Sequence, residues 1–432
     1  MGKRNVKRIF ISGIILLVLL FNNITADANV AYNKQQNSNK NLQESGPILS
    51  KQSHALSKEQ MYQDYDYMWK IISENYPYAG VAERVTGLDF NQVKVKYRNK
   101  IALVENDKEF FNLVEECLAQ YGGCGHMMAL SKDAYFNHML ISYQYKENPT
   151  HEFLYNVMNN KTSKYFYQYD QKGTVKSNQS PKESNAVTNN NASIKASDVT
   201  YKKYKNNKIA YIKIKSFNNL ENDKKEIQQF FNTLKGYNSL IIDIRGNTGG
   251  NAEYWRNYLV LPNLKEKATY HETMLLRGEI SKKFVSLVCE LQPISKLNIT
   301  KYSKLNMSDI KMMGNFTTNS YEYKKSKKPE FTGNIYLLVD HKVYSAAEGL
   351  AYFCKSTGWA TIIGENTGGD GMLMNPMVCV LKNSGICFQF TAQLGLNPDG
   401  SSNEEVGTNP DILCKPSNAL KVCLQEIEKK NK

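Results

Sequence analysis

The chain has 432 residues and a mass of 49.3 kDa, with 41% hydrophobic and 22% charged residues. Its mean hydropathy of −0.52 excludes a polytopic membrane protein and fits a water-soluble chain with more than one domain. The formal net charge is +14, but the basic residues are scattered among Asn, Gln and Tyr. Because they are not gathered on a recognisable binding module, nucleic acid is not an expected partner.

Residues 1–28 have the pattern of a secretory signal peptide. Four basic residues precede a mainly apolar run over residues 9–21, and Ala26-Asp27-Ala28 has the small-x-small form of a cleavage site. A run of this length rises only ~20 Å as a helix, less than the ~30 Å hydrocarbon core of a membrane. We therefore expect a secreted or cell-envelope protein. An uncleaved N-terminal segment is the alternative, and it would be the only contact with a membrane.

A tether and a helical domain follow the signal peptide. Residues 29–55 are rich in Asn, Gln, Ser and Lys, which predicts a disordered tether. Residues 56–130 predict a small helical domain, in which Ser57 and Gln60 form a capping-box pattern at the first helix. Apolar residues then recur at helical spacing, namely Met61, Tyr65, Met68, Trp69 and Ile72.

Residues 131–200 are predicted to be a variable connection between this domain and the rest of the chain. Within it, residues 171–200 contain many Ser and Lys, three consecutive Asn and almost no large apolar side chain. Such a stretch cannot offset the entropy of ordering by burial, so we predict a low-complexity insertion there.

Residues 201–432 alternate between strand and helix patterns. Strand-like apolar runs cover residues 209–214, 240–244, 335–339 and 360–363, and helical patterns cover residues 227–234 and 347–354. This alternation predicts an α/β domain with a largely parallel sheet covered by helices.

The eight cysteines are compatible with disulfides in an exported protein. Cys379 and Cys387 flank a hairpin-like turn and are the most plausible pair, because residues equidistant from a turn face each other. Buried free thiols are the alternative, and equally plausible for the other six. The sequence contains no C-x-x-C or H-E-x-x-H pattern, so a metal site has little support.

A glycine-rich turn follows the apolar strand that ends near Asp243. In such a sheet, reactive groups gather where strands end and turns lead into helices. Gly249 and Gly250 allow backbone N–H groups to approach a substrate and point together, as an oxyanion hole requires. An ordinary strand-to-helix turn is the alternative, with Arg245 and Asn247 holding its shape rather than orienting substrate.

A second turn places Ser345 just before a helix. The positive potential of a helix N-terminus favours a developing alkoxide, and the backbone N–H of Ala346 can donate to an oxyanion. Ser345 is therefore a candidate nucleophile. A serine that only caps the helix would give the same sequence.

These motifs together resemble the C-terminal processing, or tail-specific, serine protease family. The resemblance rests on Asp-Ile-Arg-Gly-Asn-Thr-Gly-Gly at 243–250, Ser-Ala-Ala-Glu at 345–348 and Ile-Ile-Gly-Glu-Asn-Thr-Gly-Gly at 362–369, in the family's order. It implies a ClpP/crotonase-like α/β catalytic domain preceded by a small helical domain. The low-complexity stretch replaces the PDZ module that many relatives carry at this position.

The resemblance also bears on the general base. The Ser-Lys branch has a lysine twenty-five residues after the serine, but this chain has Asp370 there. The Ser-His-Glu branch, which includes the tricorn-core proteases, takes its histidine from a Gly-His or Asp-His motif at the end of the helical domain, which here gives His126. Its acid comes from a Glu-x-x-Gly-Val-x-Pro-Asp motif, which is similar to residues 404–411 and favours Glu404, with Glu405 as the alternative acid.

The resemblance implies a secreted serine endopeptidase. His126 would take the proton of Ser345 and Glu404 would fix the imidazole, while Gly249, Gly250 and Ala346 would hold the oxyanion. The substrate would be a polypeptide, no cofactor would be required, and the oligomeric state is left open. The alternative function is a ligand-binding protein that uses the same fold without catalysis.

Overall fold

The computed structural model describes residues 55–169, 197–205, 208–370 and 374–430. The signal peptide and almost all of the tether and the low-complexity insertion lie outside these residues, so those predictions stay untested, as do the domain boundaries. No helix among the described residues combines the length and apolar character needed to cross a membrane.

Helices make up the N-terminal part of the described chain. Ser57 caps the first helix and Gln60 closes the capping box, as the sequence predicts. The first four helices are α1 Lys58–Asn75, α2 Ala79–Thr86, α3 Phe90–Lys100 and α4 Asp107–Ala119. A glycine-rich turn ending at His126 and the short strand β1 Met128–Ala129 follow, and then α5 Lys132–Gln144, α6 Pro149–Met158 and α7 Lys161–Phe166.

The central sheet has six strands in the order β13-β9-β8-β4-β3-β2 and is parallel except for the β2–β3 pair. Its strands are β2 Val199–Tyr204, β3 Ile209–Ile214, β4 Ser239–Asp243, β8 Asn334–Val339, β9 Thr361–Gly364 and β13 Ile412–Leu413. Strands β4 and β8 are adjacent, so the turns that leave their carboxyl ends lie side by side. The predicted largely parallel sheet with covering helices is confirmed.

The helices of this region include long covering helices on both faces of the sheet and short pieces at loop ends. They are α8 Leu220–Asn232, α9 Ala252–Trp255, α10 Glu279–Val285, α11 Met307–Ile310, α12 Ala346–Thr357, α13 Asn403–Val406 and α14 Ala419–Lys430. Helices α8 and α12 pack on one hydrophobic cluster of the sheet, and α14 packs on another. Burial of both faces explains why the central strands read as continuous apolar runs.

Two antiparallel sheets complete the fold. One has the order β12-β5-β7-β6 and the other the order β1-β11-β10. Their strands after β1 are β5 Ala268–Leu276, β6 Gln292–Pro293, β7 Asn315–Tyr323, β10 Met377–Val380, β11 Cys387–Phe390 and β12 Gln393–Leu396. The sequence patterns did not predict β5 and β7.

The predicted pairing of Cys379 with Cys387 is wrong. The register places Cys379 opposite Phe388, because the turn closes with the N–H of Gly385 donating to the carbonyl of Leu381 (2.9 Å). A shift of one residue puts the two thiols on opposite faces of the sheet. All eight cysteines are free in this structure, and Cys379 and Cys387 are both buried.

One hydrophobic cluster joins the N-terminal helices to strands β10, β11 and β12. Tyr76, just after α1, contacts Phe390 edge-on with ring centroids 5.6 Å apart, and its hydroxyl donates to the carbonyl of Cys124. The glycine-rich turn that ends at His126 is therefore held between α1 and strand β11.

Candidate active site

The glycine turn after β4 is held by its own side chains. Arg245 donates from Nε to Asp243 Oδ1 (2.9 Å), and Asn247 Oδ1 accepts the backbone N–H of Gly249 (2.9 Å). These contacts fit the expectation that Arg245 and Asn247 support the turn. Because the Gly249 N–H is engaged with Asn247, Gly250 and Ala346 are the predicted oxyanion donors that remain.

Gly249 lies directly against the serine turn. Its φ is +104°, and a Cβ built there would lie 2.8 Å from the carbonyl oxygen of Tyr344 and 2.9 Å from both Ala346 N and Ser345 Cβ. A side chain at position 249 would push the two turns apart. The glycine is required for this close approach.

Ser345 is held in a strained turn between β8 and α12. Its φ and ψ are 55° and −124°, a conformation that non-glycine residues rarely adopt. The Ser345 N–H donates to the carbonyl of Gly369 (3.1 Å), and its side chain makes no capping hydrogen bond to the helix. The geometry is that of a strand-to-helix nucleophile turn rather than of a helix-capping serine.

His126 ends the turn that follows α4, and it too has a positive φ, of 56°. The carbonyl of Gly125 accepts the N–H of Thr391 (2.7 Å), while the N–H of Gly125 donates to Glu404 Oε1 (2.9 Å). The imidazole lies beside the ring of Tyr344, with centroids 5.2 Å apart. The residue next to the candidate nucleophile therefore contacts the candidate base.

The carboxyl group that contacts the His126 ring is that of Asp370. His126 Nδ1 pairs with Asp370 Oδ2 and lies 3.2 Å from Thr391 Oγ1. An imidazole that donates its Nδ1 proton to a carboxylate presents Nε2 as its basic nitrogen. This is the tautomer that a general base of a serine peptidase needs.

Asp370 is itself buried and surrounded by hydroxyl groups. The hydroxyls of Tyr78, Thr391 and Tyr344 lie 3.2, 3.3 and 3.5 Å from its carboxyl oxygens. Its neighbour Gly369 accepts the hydrogen bond from Ser345. The loop after β9 thus contacts the nucleophile turn and the histidine with adjacent residues.

Glu404 lies in the same cluster but has other partners. Its carboxyl group accepts the Gly125 N–H and lies 3.3–3.4 Å from the hydroxyl of Tyr344. Burial, and then the charge of Asp370, raises the pKa of Glu404 to about 8, although the hydrogen bond from Gly125 opposes this shift. Glu404 is thus brought to the site, but its hydrogen bonds go to the backbone before His126 rather than to the imidazole.

Glu405, the alternative acid, forms ion pairs away from the histidine. Arg84 of α2 donates from Nε and Nη2 to its two oxygens (2.8 and 2.7 Å) and binds Asp309 with the same guanidinium. These contacts tie α13 to α2 and α11. The structure places Glu405 in this surface network and Glu404 in the buried cluster.

The protonation of His126 is set by two opposing influences. Burial lowers the pKa of the imidazole, but the charge of Asp370 and its hydrogen bond, with a smaller contribution from Glu404, outweigh it and raise the pKa above its ordinary value. A raised pKa strengthens the histidine as a proton acceptor. Among the described residues, no hydrogen bond joins Ser345 Oγ to the ring, as is common in the absence of substrate.

Sequence reasoning missed Asp370, Tyr78 and Thr391 as members of the site. The comparison with the Ser-Lys branch marks Asp370 only as a residue that cannot replace a lysine base. Its spacing from Ser345 was the signal that could have found it, because a residue at the family's lysine position lies next to the nucleophile turn. Tyr78 ends the Glu-Asn-Tyr-Pro-Tyr stretch at 74–78, which resembles bacterial members of the family but assigns this tyrosine no role, and Thr391 belongs to no motif.

The fold and this site define a serine peptidase. Residues 208–414 match the family model described as peptidase family S41, and residues 57–119 match the tricorn protease C1 domain. Residues 208–414 include the glycine turn, Ser345, Asp370 and Glu404, and they belong to peptidase family S41. No protein with a curated description matches the chain in sequence.

Several solved structures are similar to this chain at low sequence identity. A protein of Parabacteroides merdae ATCC 43184, named as a candidate peptidase, is 17% identical over 85% of this chain and 96% of its own, with a TM-score of 0.50. Mature CPAF is 11% identical over 86% and 96% of the two chains (TM-score 0.49). A lipoprotein of Streptococcus agalactiae is 15% identical over 90% and 100% (TM-score 0.43). At this identity, the first of them supports a common fold and nothing finer.

No group of three or more His, Cys, Asp or Glu side chains with the geometry of a metal site occurs in the part of the chain that the structure describes.

Proposed function

We propose that this protein is an exported endopeptidase that cleaves polypeptides through an acyl-enzyme at Ser345, with His126 as the general base. The observation that carries the proposal is the strained turn of Ser345. The preceding residue, Tyr344, contacts the His126 ring, and the Ser345 N–H donates to Gly369, whose neighbour Asp370 pairs with the same ring. The position of a Ser-Lys lysine is taken by Asp370, which supports a histidine base.

The reaction follows from this arrangement. Ser345 Oγ attacks the scissile carbonyl carbon as its proton moves to Nε2 of His126, and the carbon–nitrogen bond then breaks as that proton passes to the leaving amine. Water, activated by the same imidazole, hydrolyses the ester and restores Ser345. The N–H groups of Gly250 and Ala346 are the donors for the oxyanion, each worth ~3–4 kcal/mol in other serine proteases.

A fluorophosphonate probe tests the nucleophile directly. The wild-type protein should be labelled, and mass mapping should find the adduct on Ser345. The Ser345→Ala variant should lose all labelling. The control variant Ser286→Ala, which alters an exposed serine outside the motifs of the site, should keep it. Labelling that persists in Ser345→Ala would reject the assignment and favour the non-catalytic alternative.

The His126→Ala variant tests the base. It should stay folded by circular dichroism yet lose more than about 10³-fold in peptidase turnover, because Ser345 would lack a proton acceptor. Peptidase turnover within tenfold of wild type would exclude His126 as the base.

Export is proposed from the sequence pattern of residues 1–28. Expression of the full chain in a bacterium, followed by fractionation and measurement of the mature mass, tests it. Cleavage after Ala28 with protein in the medium or cell envelope is the expected result. Retention of the full mass in the membrane fraction would indicate an uncleaved segment, and retention in the cytoplasm would refute export.

A further inference from the structure

We propose that Asp370 is the carboxylate that orients His126, and that Glu404 instead positions the backbone turn that carries this histidine. The inference deepens the proposed function and rests on it. Both residues act through His126 and are therefore positioning residues, but they act on different parts of it. Asp370 contacts the ring, and Glu404 contacts the backbone N–H of Gly125, the residue before the histidine.

The hydrogen bonds separate the two roles. Asp370 Oδ2 is paired with His126 Nδ1, where a proton must be held if Nε2 is to act as the base. Glu404 Oε1 accepts the N–H of Gly125, one residue before the histidine. The hydroxyl of Tyr344 lies between the two carboxyl groups, within 3.5 Å of each. The cluster is therefore connected, and only one of its carboxyl groups contacts the ring.

Backbone strain independently marks the nucleophile Ser345, the base His126 and the carboxylate Asp370. Only five non-glycine residues in the described parts of the chain have a positive φ, and they are His126, Gln168, Lys208, Ser345 and Asp370. Each such conformation costs on the order of 1–3 kcal/mol and persists where the surrounding structure fixes it, often at active sites. Three of the five form the proposed nucleophile, base and acid. Glu404, by contrast, lies in the short helix α13.

Charge balance explains why the cluster needs one carboxylate and not two. The acidic side chains near the serine turn are those of Asp370, Glu404 and Glu348. Among the described residues, no Lys or Arg side chain contacts any of them. A single imidazolium can balance one negative charge. Burial raises the pKa of Glu348 to about 7 and that of Glu404 to about 8, so at neutral pH Glu404 is mainly neutral and Glu348 is about half protonated.

Titratable groups from several elements face the His126 ring or its two carboxyl partners. They are Cys124 in the same turn, Tyr76 after α1, Tyr78 before α2, Tyr344 before α12, Glu348 in α12, Asp370 after β9 and Glu404 in α13. Burial and nearby acids raise the pKa of the Cys124, Tyr78 and Tyr344 groups well above their ordinary values, so none of these three titrates near neutral pH. Changes in the titration of His126 between pH 5 and 8 therefore report on the three acids of the cluster, and comparing the variants at Asp370 and Glu404 separates these two while Glu348 stays constant.

Two matched variants test the assignment. Asp370→Asn should lower kcat by ~10³–10⁴-fold with a small change in KM, because the amide can no longer hold the charged ring. Glu404→Gln keeps an oxygen for the Gly125 N–H and should lower kcat by less than tenfold. Asp66→Asn, which breaks an exposed ion pair with Arg98, serves as the control and should match wild type.

The pKa of His126, followed by NMR of its ring protons, is a second measurement. A substitution that acted only on the structure would leave this pKa unchanged. The signal is assigned by its loss in His126→Gln. Without the charge of Asp370, burial should lower the pKa of His126 below 6.5 in Asp370→Asn, while Glu404→Gln should leave it higher than in that variant.

The opposite pattern would overturn the inference: a kcat loss of ~10³-fold in Glu404→Gln with Asp370→Asn near wild type, or a larger fall in the pKa of His126 in Glu404→Gln. If Asp370→Asn fails to fold, the near-normal turnover expected of Glu404→Gln still excludes Glu404 as the carboxylate that orients the ring. If wild-type Ser345 takes no label, the peptidase proposal fails, but the NMR titration still shows which carboxylate faces His126.

Discussion

The raised pKa of Glu404 predicts that replacing this residue with glutamine changes how stability depends on pH. Glu404 has a pKa of about 8 in the folded protein against an ordinary value of 4.5. Between these values the folded state holds a proton that the unfolded state has released. Wild-type stability must therefore fall as pH rises through this window. Glutamine does not titrate, so the variant escapes this part of the loss.

The size of the effect follows from the shift. Each pKa unit corresponds to ~1.4 kcal/mol, so the full shift amounts to on the order of 4–5 kcal/mol. Glu404 is not fully buried, and its remaining contact with water reduces the effect. We therefore take about 2 kcal/mol as the smallest expected difference in the free energy of unfolding. Relative to wild type, the free energy of unfolding of Glu404→Gln should gain this amount between pH 5 and pH 9.

Urea unfolding of both proteins at pH 5, 6, 7, 8 and 9 measures this difference, provided that the m-values agree. Glu322→Gln is the matched control, since Glu322 is exposed and paired with Lys267, and its difference from wild type should stay flat. A Glu404→Gln difference that does not grow with pH, or that grows in favour of wild type, would refute the view that Glu404 is held neutral by its surroundings.

Three further substitutions test other parts of the structure. Gly249→Ala should cost ~2 kcal/mol or more in urea unfolding and abolish probe labelling, because its Cβ would clash with the Ser345 turn; normal labelling would contradict the close packing. Asp243→Asn should cost ~3–5 kcal/mol by leaving Arg245 without its buried partner, and a cost below 1 kcal/mol would show that this pair does not hold the turn. Ser57→Ala should lower the free energy of unfolding by ~1 kcal/mol through loss of the helix cap, and no change would mean that α1 frays at this end.

The sequence predicts the central sheet well because its signal is strong. Strands buried on both faces are nearly continuous runs of apolar residues, and β4 and β8 are read to within one residue. Strands β5 and β7 are missed because they mix polar and apolar residues without a steady period, and they are stable because they pair with each other over nine residues. The hairpin β10–β11 is located correctly, but its register depends on the backbone conformation of the turn at Gly385.

The site is predictable from sequence where motifs mark it and not where distant side chains meet. The turn before a helix predicts Ser345 and the Gly-His motif of the resembling family predicts His126, and the structure brings both residues to one cluster. The contact of Asp370 with the imidazole depends on a positive φ and on a loop path that no local pattern encodes. Thr391 enters through the carbonyl of Gly125, a contact across more than 260 residues.

The long-range packing of Tyr76 against Phe390 also has a consequence for biosynthesis. As the chain emerges from the ribosome, the histidine and the serine are synthesised before strands β11 and β12. The histidine turn cannot be fixed until these two strands are available. Hydrolytic competence should therefore arise only after almost the entire polypeptide has been synthesised and has folded. The order of segments along the chain would therefore delay the first peptide-bond cleavage until translation is nearly complete.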